Sequence, residues 1–98
     1  MLFEALDREV LEKLFDYSIT NMKTNVKIAR NEIFRNILND KDGVDLALGL
    51  TLGIIHMSFM DGFKLRHNRV LNPAENEELL TITGSKLKQL KEAIFKCG

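Results

Sequence analysis

Glycine and proline are absent from the first 42 residues, and the whole chain of 98 residues holds one proline and six glycines. That scarcity excludes a loop-rich or low-complexity chain. With abundant Leu, Ile, Glu and Lys it favours helix. Cysteine is scarcer still: Cys97 is the single one, so no internal disulfide can form and a disulfide-stapled secreted domain is excluded. Net charge is missing as well. Fourteen acids balance fourteen bases, so no overall field advertises nucleic acid, anionic lipid or an acidic substrate. Nor is there a long apolar run. The longest stretch without a charged side chain, Leu46 to Met60, has 15 residues and is bracketed by Asp45 and Asp61. A membrane span needs roughly 20. Met1-Leu2-Phe3-Glu4 lacks the basic and apolar regions of a signal peptide. These absences together predict a cytoplasmic protein with no membrane contact, and the length predicts one domain over 1–98.

What is present is helical periodicity. Leu11, Phe15, Ile19, Met22, Val26, Ala29, Ile33 and Ile37 follow one another at steps of three or four, which keeps one apolar stripe on one helical face. The stripe favours a single helix over residues 4–39, with a weak point at Ser18-Ile19-Thr20-Asn21, where capping residue types gather without a capping box. Asn39-Asp40-Lys41-Asp42-Gly43 is a turn, and Asp42 can cap the next helix with Asp45 in its first turn. That helix is expected to run to Leu71. Asn72-Pro73-Ala74-Glu75 then combines an N-cap, a proline at the first helical position and a box-closing acid. A short helix is expected from there to about Leu80, a stop in Thr81-Ile82-Thr83-Gly84, and a last helix capped by Ser85 with Leu87, Leu90 and Ile94 on one face. The fold class is all-α: a long helical hairpin plus a short helix and a C-terminal helix, a bundle completed by dimerisation.

Charge is segregated along the chain. Asp40, Asp42 and Asp45 cluster where a helix starts; Lys64, Arg66, His67 and Arg69 cluster where it ends. Glu75, Glu77 and Glu78 open the next helix and Lys96 closes the last. The helix dipole favours this arrangement, each group contributing roughly 0.3–1 kcal/mol. The functional alternative is an anion or nucleic-acid patch of Lys64, Arg66, His67 and Arg69 with Lys86, Lys88 and Lys91. The first four point in different directions around their helix, and no aromatic is placed to stack bases beside them. Pro73 to Lys96 has the outline of a helix-turn-helix, but its first helix would be very short and Gly84-Ser85 is an ordinary cap.

The central helix is the most informative segment. From Leu46 to Met60 only Thr51, His56 and Ser58 carry polar side-chain groups, and a helix apolar all round is expected to be buried on every side. The rest of the chain supplies too few neighbours, which predicts a homodimer. Gly49, Gly53, His56, Met60, Phe63 and His67 fall along one line, and the first five form the candidate interface. Gly49 and Gly53 make a G-x-x-x-G pair that permits close helix approach. The same glycines could instead admit bulky side chains of their own chain, such as Phe15 or Phe34.

Catalytic and metal chemistry finds little support. His67 lies about 16 Å along the helix from His56, too far to share a metal, and His56 is expected to be a hydrogen-bonded core residue. No phosphate-binding glycine loop, nucleophile elbow, C-x-x-C or H-E-x-x-H occurs. Glu4, Asp7, Glu9, Glu12 and Asp16 are expected to be solvated, with Glu9 and Lys13 as an i,i+4 pair. Glu32 stands alone, without the paired acid that carboxylate-bound Mg²⁺ usually needs. Cys97, beside Lys96, sits too near the terminus for a catalytic thiol. Neither cofactor nor metal is expected. The sequence predicts a non-enzymatic protein that self-associates and binds another protein, of the regulator, adaptor or inhibitor type.

Overall fold

A computed structural model describes residues 2–97. Helix accounts for 82% of it and no strand occurs among the described residues, the all-α fold that the periodicity predicts. Five helices follow in order: α1 Ala5–Thr20, α2 Met22–Ala29, α3 Glu32–Leu38, α4 Val44–His67 and α5 Pro73–Lys96. α1, α2, α4 and α5 enclose the core. α3 buries none of its side chains.

The N-terminal stripe folds as three helices and not as the single helix that its spacing favours. Leu11, Phe15, Met22, Val26 and Ala29 are buried along one line through α1 and α2. The helix breaks for one residue at Asn21, whose side-chain amide donates to Tyr17 O at 2.9 Å alongside its own backbone N–H. A second break falls at Arg30–Asn31. There Asn31 turns extended and accepts from the Ile33 N–H at 3.0 Å, starting α3 in a new direction. Asn side chains competing with backbone hydrogen bonds explain both interruptions. Ile33 and Ile37, which continue the stripe on paper, are therefore 64% and 75% exposed.

Asn39, in the left-handed conformation, ends α3. The expected turn leads into α4, with its capping shared. Asp42 Oδ1 accepts from Val44 N–H, while Asp40 accepts from Gly43 N–H and Leu46 N–H. Gly43 has φ +72°, and a Cβ there would lie 3.0 Å from Ala29 O. Only glycine satisfies both the conformation and the close approach. α4 buries Val44, Ala47, Thr51, Ile55, Phe59 and Phe63. It stops at His67 because left-handed Asn68 caps it, four residues sooner than Leu71.

The Asn72 box forms in full: Glu75 N–H donates to Asn72 Oδ1 at 2.8 Å, and Asn72 N–H donates to Glu75 Oε1 at 2.9 Å. The helix it starts does not stop at Thr81–Gly84. α5 runs unbroken to Lys96, so the expected short helix and last helix are one. Ser85 is an internal residue whose hydroxyl donates to Ile82 O. Gly84 costs about 1 kcal/mol in a helix interior, while Leu79 and Thr83 before it and Leu90 and Ile94 after it are all buried. Packing on both sides outweighs the breaker. Phe3 completes the core, edge-on to Phe59 at 5.1 Å and Phe63 at 6.0 Å. It is fixed there by Glu78 Oε2, which accepts from the backbone N–H groups of Leu2 and Phe3.

Candidate functional site

The inward side of α4 carries polar side chains, and Thr51, His56, Arg66 and His67 each find a partner within the chain, with the buried Arg66 Nη2 left without one among the described residues. Thr51 donates to Ala47 O at 2.7 Å and accepts from the Asn25 amide at 3.0 Å. His56, half-buried, pairs with Thr83 Oγ of α5 at 2.8 Å. Burial holds its pKa below the ordinary imidazole value. His56 is hydrogen-bonded as the sequence predicts, but it lies at the margin of the core and not within it.

At the far end Asp7 is only 1% exposed, against the expectation that it is solvated. Arg66 Nε donates to its Oδ1 at 2.9 Å, and His67 Nε2 lies 2.8 Å from its Oδ2. The His67 ring also stacks on Phe63, with centroids 4.2 Å apart. A buried carboxylate needs such partners. The signal was in the sequence: Phe3, Asp7, Leu11 and Phe15 are four residues apart, so Asp7 lies in the apolar stripe. Glu4, Asp7 and His67 bring ligand atoms within 4.8 Å of one another. The Arg66 guanidinium, however, already supplies the positive charge beside Asp7, and a metal ion would be repelled by it. Gly62 serves this cluster, because a Cβ there would meet Arg66 Nη1 at 2.9 Å.

Arg69 makes a two-pronged contact with Glu75, at 2.7 and 3.0 Å. The guanidinium lowers the Glu75 pKa from 4.5 to about 2, helped by the Asn72 N–H. Of the four residues in the candidate anion patch, then, Arg66, His67 and Arg69 are committed to carboxylates of their own chain. Lys64 alone has no carboxylate partner among the described residues. Lys86 is likewise paired, with Glu12.

The candidate interface residues separate onto two sides of α4. Gly49, Gly53 and Met60 face outward, whereas His56 is turned to Thr83 and Phe63 is 1% exposed in the core. The outward face is therefore rotated by roughly a fifth of a turn from the line drawn through those residues. By helical spacing its centre runs through Leu46, Leu50, Gly53, Met57, Met60 and Lys64; the last four are exposed, Leu50 is half-buried and Leu46 packs partly against the core. Met57 is 65% exposed, Met60 42% and neighbouring Ile54 47%. Beyond the helix's own backbone, no atom lies within 4 Å of a Cβ built at Gly49 or Gly53. These glycines admit no bulky side chain of their own chain, neither Phe15 nor Phe34.

α4 is thus packed on one side only, not surrounded as its composition predicts. Its uncovered side is continuous with α3: Leu38 lines the same shallow depression as Asp45 and Leu46. By length and composition α4 would also pass for a membrane span. Leaving the bundle would, however, strip Thr51, His56, Arg66 and His67 of their partners. An apolar strip of this kind can bury area against a partner but offers no convergent polar groups for chemistry. No protein-family model, curated protein or solved structure matches this chain.

Proposed function

We propose that this protein is a non-enzymatic helical module that self-associates through the outer face of α4 and acts by binding another protein, in the manner of a small regulator, adaptor or inhibitor. The observation that carries the proposal is the uncovered apolar strip centred on Gly53 and Met57. Soluble surfaces rarely leave such a strip open in a functional state. The committed state of Arg66 and Arg69, each paired with a carboxylate of its own chain, speaks against a phosphate-binding role, because neutralised cations release few counterions.

The test is solution mass by light scattering coupled to size exclusion, at low and high salt. A mass near twice 11.2 kDa, insensitive to salt, is expected from apolar burial. A monomeric mass at every concentration and salt would refute self-association.

A further inference from the structure

We infer that a second copy of this chain covers the outer face of α4 and runs antiparallel to it, with α3 of each copy reaching the far end of the other's α4. The inference rests on the self-association proposed above and adds its geometry.

The spacing of the strip selects a helix as occupant. Leu46, Leu50, Gly53, Met57, Met60 and Lys64 are separated by four, three, four, three and four residues. That seven-residue period is the seam of two helices crossing at about 20°.

The ends of the strip set the direction. Asp42 and Asp45 are exposed at its start and Lys64 is exposed at its end. None of the three has an ion-pair partner among the described residues. From residue 45 to residue 64 the helix rises about 28 Å. A parallel pair would set the acidic first turns against each other and align the two helix dipoles, whatever Lys64 and its neighbour Asp61 do at the other end. An antiparallel pair with its two-fold axis near residue 55 sets Lys64 of one copy beside Leu46 and the acidic first turn of the other. The same register puts Leu50 opposite Met60 and Gly53 opposite Met57, so that the protruding Met57 fills the space left by the missing side chain.

The apolar groups at the two ends match as well. Leu38 of α3 shares its depression with Leu46, at the start of the strip. Leu65, 87% exposed, lines a second depression with Asp61 and Lys64, at its end. Antiparallel pairing brings Leu38 of one copy to Leu65 of the other, whereas a parallel pair sets each of these leucines against its own equivalent. Area points the same way. A strip about 28 Å long and one helix wide, about 10 Å, falls short of the roughly 800 Å² per partner of a standard interface. The exposed side chains of α3, idle in their own chain, supply the difference.

The test is directed cross-linking in a Cys97→Ser background, with Leu50→Cys and Met60→Cys on separate chains. Each variant is oxidised alone and after the two are refolded together, and covalent mass is read on a non-reducing gel. Disulfides form only between Cα atoms closer than about 7 Å. The mixture should therefore shift to twice the chain mass while each variant alone does not. Self-cross-linking of each variant alone would mean a parallel pair and overturn the inference. No covalent dimer in any sample, with scattering still giving a dimer, would place the contact elsewhere and overturn the inference while self-association stands. A monomeric mass would overturn both.

Discussion

Alanine at Gly53 should move two measurements in opposite directions. A glycine in an exposed helix interior costs about 0.8–1 kcal/mol relative to alanine. A Cβ at Gly53 meets nothing within 4 Å, so the isolated chain should gain nearly all of that. In a domain of this size 1 kcal/mol raises the melting temperature by about 4–8 °C. Against a second helix the same methyl is an intrusion, and overpacking costs typically 1–3 kcal/mol. The dissociation constant should then rise about tenfold, since 1.4 kcal/mol is one decade. Gly84→Ala is the internal control: it too lies mid-helix with nothing within 4 Å of its Cβ, but on α5. Urea titrations at high dilution give the stability term, and sedimentation equilibrium gives the dissociation constant. If Gly53→Ala behaves like Gly84→Ala in both, close approach at this glycine is refuted. If it destabilises the dilute chain, the exposure of that face is wrong.

Two further outcomes concern the polar groups within the bundle. Asp7→Ala leaves Arg66 and His67 facing each other without their carboxylate and should cost about 3 kcal/mol, the low end for a broken buried pair because Arg66 keeps some contact with water; an unchanged urea midpoint would show that the cluster contributes nothing net. Glu75 has a folded pKa of about 2 against an ordinary 4.5, so its ion pair stabilises fully above pH 4.5 and that contribution is lost as pH falls from there towards 2. The loss of stability over that window should be shallower in Glu75→Gln, as read by thermal melts at stepped pH, and an identical slope would assign acid unfolding to other carboxylates.

Local signals in this sequence are legible where a single residue type has one physical use. Asn72, Pro73 and Glu75 specify a helix start to the residue, and Gly43 marks the turn. The buried stripe through Leu11, Phe15, Met22 and Val26 follows from spacing alone. Periodicity misleads where tertiary packing decides. Gly84-Ser85 looks like a helix boundary, yet α5 holds together because apolar side chains on both sides of it enter the same core. In α4 the sequence is apolar around the whole circumference, so spacing cannot say which side faces inward. The outward face had to be read from burial, and it lies a fraction of a turn away from the line through Gly49, His56 and Phe63. For Asp7 the four-residue spacing with Phe3, Leu11 and Phe15 marks the buried stripe, but its partners are too distant in the chain to be read. A carboxylate among other acids on α1 looks solvated until Arg66 and His67, about sixty residues later, are seen to reach it.

Gly43 has a consequence for which part of the chain is free to vary. Its backbone sits against Ala29 O, and Arg30 Nε donates to Asp42 O at 3.2 Å, so the segment between them leaves the bundle and returns to its starting point. α3 is carried on this closed excursion. Lengthening a flexible loop whose ends already meet costs little, about 0.6 kcal/mol for each doubling. With Asp40 held as a cap of α4, the four-helix core is insulated from whatever is written in α3 itself, Glu32–Leu38. Side chains there can be exchanged or added to without renegotiating the interior, and a chain built this way can change what it recognises while keeping what it is.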